Sequence, residues 1–463
     1  MARFRGELVR GKMSSTESEG RNGDMARSDI FHPEFQPLPY WWEAYAPAAG
    51  ELVEVPKEAR VAIVGGGYAG LTAALELAKH GVDAVVLERG PLGIGASTRN
   101  GGSVSGGVNI GTSFSGRAAE VAPERAHALL ADAADAFSLI ERLIEDEKIA
   151  CYWQKRGRFV GAWTPKHYAD REKRLAGLND AAQSGAYMVP RDKQRAEIAS
   201  DYYHGGMVVE RSASLHPALY YKGLLDACRR QGIAICAEAS VERITPLNRA
   251  GWRVETSRGA LTAGDVVIAT NGYTGGLTPA LRRRVVPIAS HIIATEELPA
   301  DLAASLIPKR RSISDTKRVL CYYRLSPDGR RVVFGGRARF TPANPELCAK
   351  VLHGYMTERF PQLKGVRVTH SWTGNTAFTL DALPHMGEEG GLHYALGCNG
   401  SGVAMMTYLG TQTARKIARV ANAPCAFDGP EFPDHPLYTG NPWFLPLIGG
   451  WYRMRDRLDR LMA

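Results

Sequence analysis

Three glycines in the run RVAIVGGGYAG, Gly65, Gly67 and Gly70, have the type and spacing to hold a pyrophosphate. The first permits a tight turn, the second lets backbone come close to phosphate oxygens, and the third lets a helix pack on its strand. Their context makes the reading specific. An apolar run short enough for a buried parallel strand precedes them, and the helical pattern LTAALELAKHG follows, which puts a dinucleotide at a helix N-terminus. A second strand, DAVVLE, ends in Glu88, a carboxylate able to accept hydrogen bonds from ribose hydroxyls.

A hairpin further along carries a second candidate set. With Ser326 to Gly329 as its turn, period-two alternation puts Val319, Cys321, Tyr323, Leu325, Val332 and Phe334 on one face, a core face. The opposite face carries Leu320, Tyr322, Arg324, Arg331, Val333 and Arg337. Tyr322, Arg324 and Arg337 are expected to look toward a substrate pocket, with a solvent-facing basic strand as the alternative. Metal and Ser/His/Asp chemistry find no supporting spacing. The cysteines at 151, 228, 236, 321, 348, 398 and 425 form no C-x-x-C pair and fit a reduced, cytoplasmic thiol set.

The elements that must position these residues exceed what one core organises, since the chain has 463 residues. Its 44% hydrophobic and 23% charged residues are ordinary for a globular enzyme, and the net charge of +9 is scattered, so no nucleic-acid partner is expected. No apolar run is long enough to span a membrane. The first thirty residues lack an apolar core, which excludes a secretory signal, and Glu7, Glu17, Glu19 and Asp24 argue against a mitochondrial presequence. A proline-led amphipathic helix opens at APERAHALL, a helix ALYYKGLLDACRRQG ends in Gly232, and DVVIAT reads as a strand buried on both faces. Segments after about residue 281 read as antiparallel strands. The final stretch WYRMRDRLDRLM places Trp451, Met454, Leu458 and Leu461 at helical intervals, a stripe expected to pack on the protein body; a basic amphipathic membrane contact is the alternative.

The opening motif, the loop GASTRNGG at Gly95 to Gly102, the strand end VIATNGY and the block DALPHMGEEGGLHYALGCNGSGVAMMTYLG together resemble the glycine, sarcosine and D-amino-acid oxidase family of FAD enzymes. ASTRNGG and SWTGNTAFTLDALPHMG are most similar to its gamma-glutamylputrescine oxidase branch. The resemblance covers roughly residues 40 to 435. It implies an α/β fold in which an FAD-binding, Rossmann-like domain with a parallel sheet is interleaved with an α+β substrate domain built on an antiparallel sheet. The expected division is a disordered leader at 1–35, FAD-binding segments at 36–112, 200–280 and 365–440, substrate segments at 113–199 and 281–364, and a C-terminal helix at 441–463.

Motif by motif, the resemblance assigns Gly65, Gly67, Tyr68, Ala69 and Gly70 to the pyrophosphate and Glu88, with Arg89 beside it, to the AMP ribose. Ser97, Thr98, Arg99, Asn100, Gly101 and Gly102 form the loop that reaches the flavin edge. Val241 faces adenine, and Thr270, Asn271 and Gly272 close the first strand set. Gly397, Asn399, Gly400, Gly402 and Val403 form the turn under the ring carbonyls, where a helix N-terminus stabilises negative charge. The position of the cysteine that tethers the flavin in sarcosine oxidases is Gly374, so FAD is expected without a covalent link. The positions of two family lysines are Val333 and Ala404; the first departure weakens the expectation of rapid reaction with oxygen, and the second suits an elongated amine.

The implied activity is oxidation of a small-molecule amine to an imine, with oxygen reduced to hydrogen peroxide. The alternatives are an amino-acid dehydrogenase passing electrons to a quinone or carrier, and a non-catalytic FAD-bearing subunit. A dry, cationic pocket would lower an ammonium pKa, a task for the hairpin arginines, while His370 and Trp372 are candidates for the wall over the ring. The catalytic expectation is therefore Tyr322, Arg324, Arg337 and Trp372.

Overall fold

The structure, a computed structural model, describes residues 30–48, 50, 52–105, 121–248, 250–421, 424–429 and 431–463. Val61 to Val64 and Ala84 to Leu87 are apolar at consecutive positions and buried at every one, as strands covered on both faces require. Strand Glu58–Val64 lies parallel to Ala84–Leu87 on one side and to Gly259–Ile268 on the other, and Ala234–Cys236 extends the parallel set. Strands Val241–Pro246, Trp252–Thr256, His385–Glu389 and Leu392–Leu396 complete an eight-stranded sheet.

Helices Tyr68–Lys79 and Gly402–Ile417 cross close together beside this sheet. Gly410 permits the approach: a Cβ there would stand 2.2 Å from the Ala69 carbonyl oxygen, and Thr72 Oγ1 bridges the two helices to the Thr407 carbonyl at 3.0 Å. Both helices begin at the same cavity, so their packing fixes two helix N-termini relative to one another.

The second sheet has nine strands, in the order Phe31–Gln36, Val368–Phe378, Val286–Thr295, Val332–Gly336, Cys321–Leu325, Ser312–Asp315, Arg158–Gly161, Gly206–Val209 and Tyr187–Val189. The hairpin has the register its alternation predicts: Tyr322 opposes Gly335 and Arg324 opposes Val333, on a turn closed by the Gly329 amide donating to Ser326. Its core face, with Cys321, Tyr323, Val332 and Phe334, packs under helix Pro345–Arg359 in one apolar cluster.

Three expectations require correction. The leader does not run to residue 35, because Phe31–Gln36 adds an edge strand to the nine-stranded sheet; the expected leader residues 1–29 lie outside the described residues, as does the expected boundary near 112. Gly206–Val209 and Val368–Phe378 belong to the nine-stranded sheet, although 200–280 and 365–440 were assigned to the nucleotide domain. Short apolar runs such as GMVV fit a buried strand of either sheet, and only long-range pairing decides.

The C-terminal helix Leu445–Leu461 forms, but with its apolar stripe outward. It docks through the opposite face: buried Asp456 accepts from the Arg318 and Val319 amides, and Trp163 donates to the Asp456 carbonyl at 2.9 Å.

Candidate active site

A cavity of about 610 Å³ runs from the edge of the parallel sheet to strand Val368–Phe378. Its first end is lined by Glu88, Arg89, Ser240 and Val241. The Glu88 carboxylate is anchored by the Gly66 amide at 2.9 Å and the Gly90 amide at 3.3 Å, with the rest of its rim open to the cavity. The Tyr221 side chain also lines this region, with its hydroxyl buried out of reach of the cavity.

At the middle, Gly65 has φ +110° and sits against the Ala269 carbonyl. A Cβ on Gly70 would stand 1.9 Å from the Gly65 oxygen, so only glycine lets the helix start there. Gly67 is the N-cap and offers no side-chain cap; Ser97 Oγ takes the Tyr68 amide at 3.1 Å. The remaining first-turn N–H groups stand where an anion belongs. At the far end the cavity meets Gly400 and Gly402 at the N-terminus of the second helix, which also lacks a side-chain cap. The Asn271 Oδ1 takes the Gly397 amide at 3.0 Å and Asn399 Oδ1 takes the Thr379 amide at 3.1 Å, which pins the turn between them.

Of the expected cofactor residues, Gly65, Gly67, Tyr68, Ala69, Glu88, Arg89, Ser97, Arg99, Asn100, Val241, Thr270, Asn271, Gly272, Gly374, Gly400 and Gly402 line this cavity. Gly70, Thr98, Gly101, Gly102, Gly397, Asn399 and Val403 stand behind its wall. An extended dinucleotide fits what is present: a carboxylate at one end, a helix N-terminus at mid-length whose N-cap glycine has no side chain, and a second helix N-terminus at the far end.

The loop between these ends is held by three successive carbonyls. Trp372 Nε1 donates to the Arg99 oxygen, Trp41 Nε1 to the Asn100 oxygen and Arg324 Nε to the Gly101 oxygen, each at 2.8 Å. The described peptide bonds are all trans, so each carbonyl drawn toward the sheet turns the following N–H the other way. The Asn100 and Gly101 amides are thereby aimed off the sheet, while the Gly102 amide is taken by Asn100 Oδ1 at 2.9 Å. Arg324 Nη2 also reaches the Leu215 carbonyl at 2.6 Å, and its guanidinium lies over the Trp41 ring.

The four expected catalytic residues therefore have a different placement. None of Tyr322, Arg324, Arg337 and Trp372 is among the described residues lining the cavity. Tyr322 lies against Gly101 with its hydroxyl paired to Ser290 at 2.9 Å, and burial pushes its phenol up to about 12. Arg324 is buried, and desolvation draws its guanidinium down to about 10. Arg337 donates to the Arg318 carbonyl and stacks on Phe378, away from the loop. The reason is the segment Tyr40 to Trp42, which packs with Val333, Ile292 and Trp372 and closes the sheet face that the alternation correctly identified.

The cavity wall at that end is instead built by Arg99, Tyr273, Thr373, Asn375 and Thr376. Arg99 is fixed by the Ile94 carbonyl at 2.8 Å and by the face of Trp42, and burial lowers its pKa. Burial raises the phenol of Tyr273, which keeps it a protonated donor. Tyr273 follows directly on the expected Gly272 in VIATNGY, and Thr373 flanks Gly374, so chain proximity was the available signal for both. His370 is buried beside Tyr40 and outside the cavity lining.

His216 caps helix Pro217–Arg230 as a neutral acceptor beside Trp41, and burial followed by the charge of Arg324 pushes its imidazole down to about 4. Its folded pKa lies below the unfolded value of about 6.5. The stabilisation is complete above that value and is lost as pH falls toward about 4. His216→Asn keeps an acceptor without the titration. The stability gap between wild type and this variant, from urea midpoints, should shrink by about 1.4 kcal/mol per pH unit below about 6.5.

Residues 60–416 match the DAO family, described as FAD dependent oxidoreductase. The chain is 32% identical over 407 residues to gamma-glutamylputrescine oxidoreductase of Escherichia coli strain K12, covering 86% of this chain and 93% of that protein. It is 31% identical over 390 residues to the probable oxidoreductase OrdL of Haemophilus influenzae, covering 83% and 88%. Among solved structures, glycine oxidase from Geobacillus kaustophilus superimposes with a TM-score of 0.67 at 20% identity, over 79% of this chain and 95% of that one. L-proline dehydrogenase from P. horikoshii gives 0.65 at 17% identity, over 79% and 94%. At those identities the two structures show a common fold.

Proposed function

Because the chain belongs to the DAO family of FAD-dependent oxidoreductases, whose members act on amines or amino acids, we propose that it oxidises an elongated amine of the gamma-glutamylputrescine type. The observation that carries this reading is the cavity's far end, where Arg99 stands beside Gly374 among neutral donors. When bound, FAD supplies an acceptor for the hydride of the carbon bearing the nitrogen, which leaves an imine for water to hydrolyse, and the two electrons pass on to oxygen to give hydrogen peroxide.

The chain's own residues do the rest. The half-buried guanidinium of Arg99 disfavours a nearby ammonium and so favours the free amine whose lone pair assists loss of hydride. With Nε on the Ile94 carbonyl and Nη1 on the Thr373 carbonyl, it offers its remaining N–H groups to an anionic tail. Tyr273 and Thr376 supply hydroxyls that can orient the nitrogen without competing for the hydride. The helix N-terminus at Gly402 puts positive potential where negative charge accumulates.

FAD is held without a covalent link: Gly374 has no side chain to form one, and acid precipitation should release all of the yellow colour. Cys398 lines the cavity, so colour retained in the pellet and freed in Cys398→Ser would overturn that part. A dehydrogenase reading is favoured by one observation, the buried Val333 at the position of the family lysine. An oxygen electrode separates the two, since an oxidase consumes one oxygen per peroxide at a rate set by the amine.

Substrate choice is tested by Arg99→Met. KM for gamma-glutamylputrescine should rise about 10- to 100-fold, as for loss of a charge-assisted hydrogen bond of about 1.5–3 kcal/mol, and that for an uncharged amine should change little. Equal changes for both would remove Arg99 from tail recognition.

A further inference from the structure

The C-terminal helix is attached through buried Leu445 and Asp456 and leaves the apolar row on its other side without a partner among the described residues. Leu447, Trp451, Met454, Leu458 and Leu461 follow one another at helical intervals and are 39–83% exposed, and Trp443 continues the row beyond the helix start. Isolated exposed apolar residues are ordinary; a continuous row along a helix is not. Asp456 and Asp459 pair with Arg318 on the protein side, and Asp459 also stands 4.0 Å from Arg455. Arg455 lies beside the Trp451 ring, and Arg457 projects outward within the row. The free face is thus apolar with cationic groups set into its border, on a chain of net charge +9.

We propose that this face rests on an anionic lipid surface. The helix lies in the interface plane, with Trp451 and Leu458 at the acyl boundary and Arg455 and Arg457 among the headgroup phosphates. No described helix is long and apolar enough to cross a membrane, so the contact is peripheral. A second copy of the chain is the weaker occupant on two grounds. The helix has 17 residues, so the stripe is about 25 Å long and about 10 Å wide, or about 250 Å² in projection, well short of the about 800 Å² per partner of a stable protein interface. Self-association would also bring Arg455 and Arg457 against their own kind. The proposal stands independently of the substrate reading.

The test is co-sedimentation of the full-length, FAD-loaded protein with vesicles of phosphatidylcholine and phosphatidylglycerol in a 3:1 ratio, against vesicles of phosphatidylcholine alone, at low and high salt. Partition to the anionic vesicles should exceed that to the neutral ones by about 10-fold or more and fall with salt. Leu447→Ser/Leu458→Ser and Arg455→Glu/Arg457→Glu should each lower it by about 10-fold, with flavin content and thermal midpoint unchanged. Protein that stays in the supernatant with anionic vesicles at low salt overturns the proposal. So does a native dimer that Leu458→Glu turns into a monomer, which would make the stripe an interface between copies.

Discussion

Gly70→Ala is expected to be purified folded but colourless, with FAD affinity reduced by at least about 100-fold, or about 2.7 kcal/mol. The added methyl would stand 1.9 Å from the Gly65 carbonyl oxygen, which is backbone and cannot swing aside. Relief requires the first helical turn to move off the strand, and that turn carries the N–H groups aimed at the pyrophosphate. The rest of helix Tyr68–Lys79 stays docked through buried Leu71, Leu75 and Leu77, so the fold survives the local shift. Far-ultraviolet circular dichroism and FAD titration by protein fluorescence separate the two effects. Full FAD content in this variant would show that the close approach at Gly70 is not what seats the pyrophosphate.

The second large effect is expected at Arg324. Its guanidinium holds the Gly101 and Leu215 carbonyls, and Gly101 ends the series of three carbonyls drawn toward the sheet by Trp372, Trp41 and Arg324. Removing the cation leaves two buried acceptors unpaired at about 1–3 kcal/mol each, and the loop can relax by turning a peptide. Arg324→Met should therefore slow flavin reduction by saturating substrate about 10- to 100-fold and alter the visible circular dichroism of the bound flavin. Arg324→Lys, which can still reach one carbonyl, should restore part of both. A variant that loses only thermal stability, with the dichroism and the reduction rate intact, would make Arg324 a structural residue with no bearing on the loop's amides.

Arg324 also shows how far the sequence was legible. Period-two alternation around Ser326 to Gly329 placed Tyr322, Arg324 and Val333 on one face, and the observed register agrees. Alternation assigns a face but not what covers it. The cover comes from Tyr40 to Trp42, nearly three hundred residues earlier in the chain, and no local pattern links the two. The glycine motif was legible for the opposite reason: strand, turn, helix and Glu88 are contiguous, so their chemistry is written within one stretch. Tyr273, on a short helical turn, and Thr373, in mid-strand, escaped because such positions become cavity walls only when the two sheets meet.

The C-terminal helix illustrates a different limit. Its apolar spacing was read correctly and its orientation inverted, because an apolar stripe is expected to face the core unless a stronger specific contact competes. Here the competitors are Asp456, which satisfies the Arg318 and Val319 amides on the protein side, and Leu445, which is buried with Phe340 and Tyr438 on the same side. The assignment of Gly206–Val209 failed on composition, since four buried residues look alike in either sheet.

The cavity is expected to hold a flavin whose reactive end is open to an organic amine. Rapid anaerobic mixing of the purified protein with gamma-glutamylputrescine tests it most directly. The visible flavin band should bleach in a single substrate-dependent phase, and admitting air should restore it with one hydrogen peroxide formed per amine consumed. A band that stays unchanged with this substrate and with a panel of polyamines, glutamylated amines and amino acids would contradict the claim.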